Sequence, residues 1–242
     1  PPVEITATPE PATRTPTASP TASPTPQPTA IPPTPTPTDV KMMQPTMTAT
    51  VASEKQEAEA MPETKRTLVF VGTYTRKESE GIYVYELDPE GGALSHLATA
   101  TGVENPSFLA IHPSKRYLYA VNEVGDWQGE STGAGSAFAL DPDTGELTLL
   151  NQQPTHGTAS CYVTVNREGT FAYVANYGSG TAAVFPIQQD GSLEPASDTV
   201  TFEGSGPNPN RQQGPHAHSV TLDAANRFAF IADLGTDRLM SY

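Results

Sequence analysis

The chain is poor in several things. A single cysteine, Cys161, among 242 residues excludes an intrachain disulfide framework and a multi-cysteine metal site. Lysine and arginine number 13 against 27 aspartates and glutamates, a formal net charge of -14, and an acidic surface repels the phosphate backbone of nucleic acid. No run of 18 apolar residues occurs and no charged segment leads into an apolar one, so a signal or lipid anchor would lie upstream of Pro1. No aromatic residue precedes Phe70, and 15 of the 25 prolines precede Thr67. Residues 1–66 therefore cannot build a core.

What that first segment does contain is regular Thr/Pro/Ser alternation, as in Thr15 to Pro20 and Pro33 to Thr38. Such tracts favour extended chain and act as spacers, so residues 1–66 read as a disordered linker or stalk, with transient helicity at Ala52–Ala60.

Residues 67–242 are different in kind. Four segments resemble one another: Leu68–Tyr74, Leu118–Glu123, Ala172–Tyr177 and Ala229–Leu234. Each ends in a polar residue, and aligning Thr73, Asn122, Asn176 and Asp233 gives spacings of 49, 54 and 57. Repeats of about this length, built from short alternating strands, indicate propeller blades. The second unit reads as strands at Phe108–Ile111, Tyr117–Asn122, Ser136–Leu140 and Leu147–Asn151; the third as Tyr162–Val165, Phe171–Asn176, Ala182–Ile187 and Leu193 onward. The fold class expected is an all-β propeller of four-stranded antiparallel blades, about three and a half of them present. Because the first unit opens on a second strand and the last stops inside a third, C-terminal truncation is expected.

In such a blade the start of the first strand and the end of the second share one face. That face collects Thr73, Tyr74, Asn105, Ser107, Asn122, Glu123, Ser160, Cys161, Asn176, Tyr177, Arg211, Gln212, His216, His218 and Asp233. Two long loops, Glu123–Gly135 and Gly204–Pro215, lie beside it, whereas Lys115, Arg116, Arg167 and Arg227 fall on the opposite turns as solvated charges. The segment Gly214-Pro215-His216-Ala217-His218 carries two imidazoles two residues apart before an apolar strand, which suits acid/base chemistry and also matches a metal-ligand spacing that Glu123 and Asp233 would complete. A third possibility is that the histidines bridge blades structurally. Asn122, Asn176 and Asp233 recur at equivalent positions, which fits turn-capping as well as substrate contact. Cys161 reads as a small buried hydrophobe.

Residues 67–242 resemble the seven-bladed β-propeller lactonase family, through Tyr119–Glu123, Leu149–Gln153, Val174–Gly180, Asn210–His218 and Ala232–Arg238. The resemblance implies ring-opening hydrolysis of 6-phosphogluconolactone, without metal or other cofactor, by a monomer acting on a small sugar-acid lactone. Lactone hydrolysis needs a base, oxyanion donors and local positive charge, so from the residues on this face catalytic His216, His218, Arg211 and Glu123 are expected, with Asn122, Asn176, Tyr177, Gln212 and Asp233 binding substrate. In a related muconate lactonising enzyme an arginine and a glutamate from later blades join the histidine, so this chain alone is expected to be inactive. One departure is Ser160-Cys161-Tyr162, where relatives read Pro-Cys-His. The Thr/Pro segment points beyond the membrane and the family to the cytoplasm; the alternatives are a non-catalytic binding module displayed on a stalk and a muconate-type lactonising enzyme.

Overall fold

The computed structural model describes residues 66–242, so the Thr/Pro linker lies outside the described residues apart from Arg66. Fourteen strands follow in order: β1 Thr67–Val71, β2 Ile82–Leu87, β3 Leu94–Ala100, β4 Pro106–Ile111, β5 Tyr117–Asn122, β6 Ala134–Leu140, β7 Leu147–Pro154, β8 Ser160–Val165, β9 Phe171–Asn176, β10 Thr181–Pro186, β11 Asp198–Thr201, β12 Ala217–Leu222, β13 Ala229–Asp233 and β14 Arg238–Ser241. They form four antiparallel meanders, β1–β3, β4–β7, β8–β11 and β12–β14, each pairing only sequence neighbours. The architecture is a partial β-propeller. Sheet two matches the pattern read from the sequence, while in sheet three the fourth strand begins at Asp198 rather than Leu193. Pro195, which has no N–H to donate to a ladder, stands between the two.

Alternation explains how the sheets stack. Strand β5 is buried along its whole length, and its side chains divide between two interfaces. Tyr117, Tyr119 and Val121 pack with Val163, Val174 and Phe185 of sheet three. Leu118 and Ala120 face the other way, onto Ile82, Ala100 and Val103 of sheet one and its loop. A strand covered on both sides reads as continuously apolar, as β5 does until Asn122. Strand β9 repeats the device, with Val174 turned to sheet two and Ala175 to Ala217, Val220 and Ile231 of sheet four. Burying each large side chain of this kind is worth about 1.5–3 kcal/mol. Tyrosine hydroxyls are satisfied across the same seam: Tyr119 Oη donates to the Gly191 carbonyl at 3.0 Å and Tyr117 Oη to that of Gln189 at 3.1 Å.

One irregularity recurs in all three complete first-to-second strand pairings. The register shifts between Pro106 and Phe108, between Ser160 and Tyr162, and between Ala217 and Ser219. Ser107, Cys161 and His218 are thus equivalent bulged residues, each lying one position after the residue that pairs with Asn122, Asn176 or Asp233. Bulges re-aim side chains, and these three set the geometry of the polar face.

Candidate functional site

The polar residues at the ends of the second strands hold the face together. Asn122 Nδ2 donates to the Glu104 carbonyl at 2.6 Å, and its Oδ1 accepts from Ser136 Oγ at 2.6 Å. Asn176 Nδ2 donates to the Thr155 carbonyl and to Thr181 Oγ1, while its Oδ1 accepts from Ser160 Oγ. Asp233, which has no N–H to give, instead accepts through Oδ1 from the backbone of His216, Gly235 and Thr236. These side chains are 1%, 0% and 2% exposed. All three are buried and tied to the loop before a first strand, the turn-capping arrangement.

Gln212 is likewise a strap. Its Nε2 donates to the Leu234 carbonyl at 2.8 Å and its Oε1 accepts from the Asn208 backbone at 2.8 Å. Both ends are committed within the Gly204–Pro215 loop and its neighbour, while Arg211 is exposed on the loop surface.

The residue after each cap is where free chemistry begins. Tyr74, Glu123 and Tyr177 occupy this position in successive sheets. Glu123 Oε2 accepts from Tyr74 Oη at 2.7 Å and from the bulged Ser107 Oγ at 2.6 Å. Both bonds fall on one oxygen, so the other is available. Hydrogen bonding to this carboxylate, with desolvation second, holds the Tyr74 phenol above its usual range. Burial, reinforced by the charge of Glu123, pushes the Cys161 thiol up to about 11; its Sγ lies 3.5 Å from the His218 carbonyl. The thiol is thus protonated at neutral pH and is not a nucleophile.

Across the face, His216 is half-buried, and its Nδ1 lies 2.9 Å from the carbonyl oxygen of Tyr177. A carbonyl can only accept, so Nδ1 carries the hydrogen and Nε2 presents a lone pair. The Tyr177 ring stacks on the imidazole, with centroids 4.4 Å apart and planes 11° from parallel. The same ring meets His218 at 5.9 Å and 86°. Arg211 Nη2 reaches Tyr177 Oη in a long contact of 3.4 Å. His216 and His218 do share the face, but not through plain alternation: His216 precedes β12 and His218 is its bulged residue.

Close backbone approach fixes this loop. A Cβ on Gly235 would run into the Gly214 carbonyl and come within 2.8 Å of the His216 nitrogen. A Cβ on Gly180, whose φ is +62°, would strike Pro215. Glycine at these two positions is what lets the loop before β12 sit where it does.

The metal alternative is not assembled. Asp233 is turned into backbone donors and Glu123 is held by Tyr74 and Ser107; among the described residues no three His, Cys, Asp or Glu side chains converge as ligands. Tyr162 stacks on Phe108, ring centroids 4.4 Å apart. An apolar cavity of about 260 Å³ between sheets three and four, lined by Ala182, Val200, Val220 and Ile231, lies away from the imidazoles.

Sequence reasoning missed Ser107 and Tyr74 as partners of Glu123. The repeat alignment held the signal for Tyr74, which stands one residue past Thr73 as Glu123 stands past Asn122.

The sequence matches the family model for seven-bladed β-propeller lactonases over residues 68–242. The chain belongs to that family. Among curated relatives, the 6-phosphogluconolactonase of Bacillus subtilis is 38% identical over 173 residues, 72% of this chain and 48% of that protein. The 6-phosphogluconolactonase of Formosa agariphila is 31% identical, over 70% of this chain and 47% of its own length. Among solved structures, a periplasmic gluconolactonase of Pseudomonas aeruginosa superposes with a TM-score of 0.67 at 35% identity, covering 73% of this chain and 49% of that one. The chain spans about half the length of the curated lactonases it matches.

Proposed function

We propose that the protein is a lactone hydrolase and that its substrate is 6-phosphogluconolactone, opened to 6-phosphogluconate. The observation that carries this reading is the His216 imidazole, whose Nδ1 is tied to the Tyr177 carbonyl so that Nε2 is left as a base. Lactone hydrolysis needs such a base and donors for the oxyanion. Nε2 takes a proton from water as the water oxygen bonds to the lactone carbonyl carbon. The tetrahedral oxyanion then collapses, the ring C–O bond breaks, and the leaving alkoxide recovers the proton from the imidazolium. In this reading His218, which is exposed, donates to the oxyanion, and the exposed Arg211 anchors the phosphate. Glu123, with one oxygen held by Tyr74 and Ser107, orients a sugar hydroxyl through the other. The relatives named as 6-phosphogluconolactonases support this substrate.

A second substrate is favoured by a specific observation. The likeness to a periplasmic gluconolactonase, together with the Thr/Pro segment, supports unphosphorylated gluconolactone hydrolysed outside the cytoplasm. Hydrolysis of both lactones by the full-length protein, corrected for spontaneous opening, tests the two. A higher kcat/KM for the phosphorylated lactone supports the first reading and a higher value for gluconolactone the second. A rate equal to the spontaneous one for both would overturn the enzyme and leave a binding module.

A further inference from the structure

Tyr177 touches His216, His218 and Arg211, and does so with different parts of itself. Its carbonyl accepts from His216 Nδ1, its ring lies flat on the His216 imidazole and perpendicular to that of His218, and its hydroxyl receives Arg211. We propose that Tyr177 is a positioning and specificity-determining residue: its ring fixes the plane of the His216 base while its hydroxyl aims Arg211 at an anionic substituent of the substrate. This rests on the lactonase reading above.

The argument is geometric. A single hydrogen bond to Nδ1 fixes one atom but leaves the imidazole free to swing about that bond. A ring stacked at 4.4 Å and 11° removes that freedom, and only then does the Nε2 lone pair have a defined direction. Arg211 sits on the Gly204–Pro215 loop and is exposed, so its long side chain has many rotamers. The Tyr177 hydroxyl, reached from 34 residues away, is the fixed point that narrows them. The backbone of Tyr177 is itself pinned, because its N–H donates to the Ala159 carbonyl at 2.9 Å beside the Asn176 cap. The two ends of one side chain thus act on two steps, the ring on proton transfer and the hydroxyl on anion binding.

The two ends separate experimentally in the full-length protein. In Tyr177→Phe the stack is kept and the hydroxyl lost: KM for 6-phosphogluconolactone should rise roughly 3- to 10-fold, a larger rise than that of KM for gluconolactone. In Tyr177→Leu kcat should fall at least about 10-fold for both lactones. Relaxation of the His216 ring carbons, read by NMR without substrate, should report a rigid ring in wild type and Tyr177→Phe and a mobile one in Tyr177→Leu, with the Nδ1–H tautomer kept in all three because the backbone carbonyl remains. Equal effects of Tyr177→Phe on both lactones would overturn the hydroxyl's role. A His216 ring as rigid as in wild type, with wild-type kcat, in Tyr177→Leu would overturn the ring's. If Tyr177→Leu fails to fold, Tyr177→Met is read in its place by the same criteria. Absence of lactonase activity in wild type would sink the functional reading alone, since the NMR comparison still decides whether Tyr177 sets the state of His216.

Discussion

His216 and Tyr177, 39 residues apart in the chain, are joined by a hydrogen bond of 2.9 Å from Nδ1 to a backbone carbonyl and by parallel stacking of their rings. The first contact decides which nitrogen is basic. The second decides where it points.

The loop that carries His216 depends on two glycines. Because a Cβ on Gly235 would meet the Gly214 carbonyl, which cannot swing away as a flexible side chain would, Gly235→Ala must move the loop. Gly235→Ala is expected to lower kcat about 100-fold, the scale of a 1 Å misplacement, while the far-ultraviolet circular dichroism stays that of wild type.

Glu123 is expected to act through the oxygen left free by Tyr74 and Ser107. Glu123→Gln should reduce kcat/KM by 10-fold or more, and Ser107→Ala by a smaller factor of roughly 3 to 10, because one of two hydrogen bonds to the carboxylate survives. Steady-state kinetics on the three proteins check this order. A larger loss in Ser107→Ala than in Glu123→Gln would contradict it.

Cys161 provides the pH prediction. Its thiol is raised from 9.0 to about 11 by burial and by Glu123, so the folded protein favours the neutral thiol. The stability this contributes is present below the ordinary thiol pKa and is lost as pH rises through about 11. The thiolate fraction at pH 8 is about 100-fold below that of an unperturbed thiol, and alkylation by iodoacetamide should be slowed by about that factor, recovering on denaturation. Alkylation at the rate of a free thiol in the native protein would refute it.

The caps should answer to stability. Asn176→Ala strips partners from Ser160 Oγ, the Thr155 carbonyl and Thr181 Oγ1 in a fully buried site, and is expected to cost about 1–3 kcal/mol for each group left unpaired. Denaturant unfolding measures it. Asn122→Ala should behave alike, since Asn122 is tied to Glu104, Ser136 and Gln152.

How much of this was legible in the sequence follows from the kind of constraint. The strands were readable because side chains alternate with period two, and β5 and β9 ran from Tyr117 to Asn122 and from Phe171 to Asn176 as expected. The caps were visible as recurring polar residues, but whether Asn122, Asn176 and Asp233 faced substrate or backbone depended on burial, which alignment of repeats does not encode. The bulges were invisible. A one-residue insertion breaks alternation without leaving a compositional mark, so nothing in His-x-His shows that His218 is the inserted residue. The Glu123 cluster was hidden for another reason: Tyr74, Ser107 and Glu123 come from three separate segments, and only the propeller brings them to one oxygen.

The measurement that tests the account most directly is hydrolysis of 6-phosphogluconolactone by the full-length protein and by His216→Ala, each against the spontaneous rate. Wild type should exceed the uncatalysed rate by orders of magnitude, and His216→Ala should lose about 100- to 10,000-fold in kcat while remaining folded. A folded His216→Ala with wild-type kcat would contradict the assignment of the imidazole as the base.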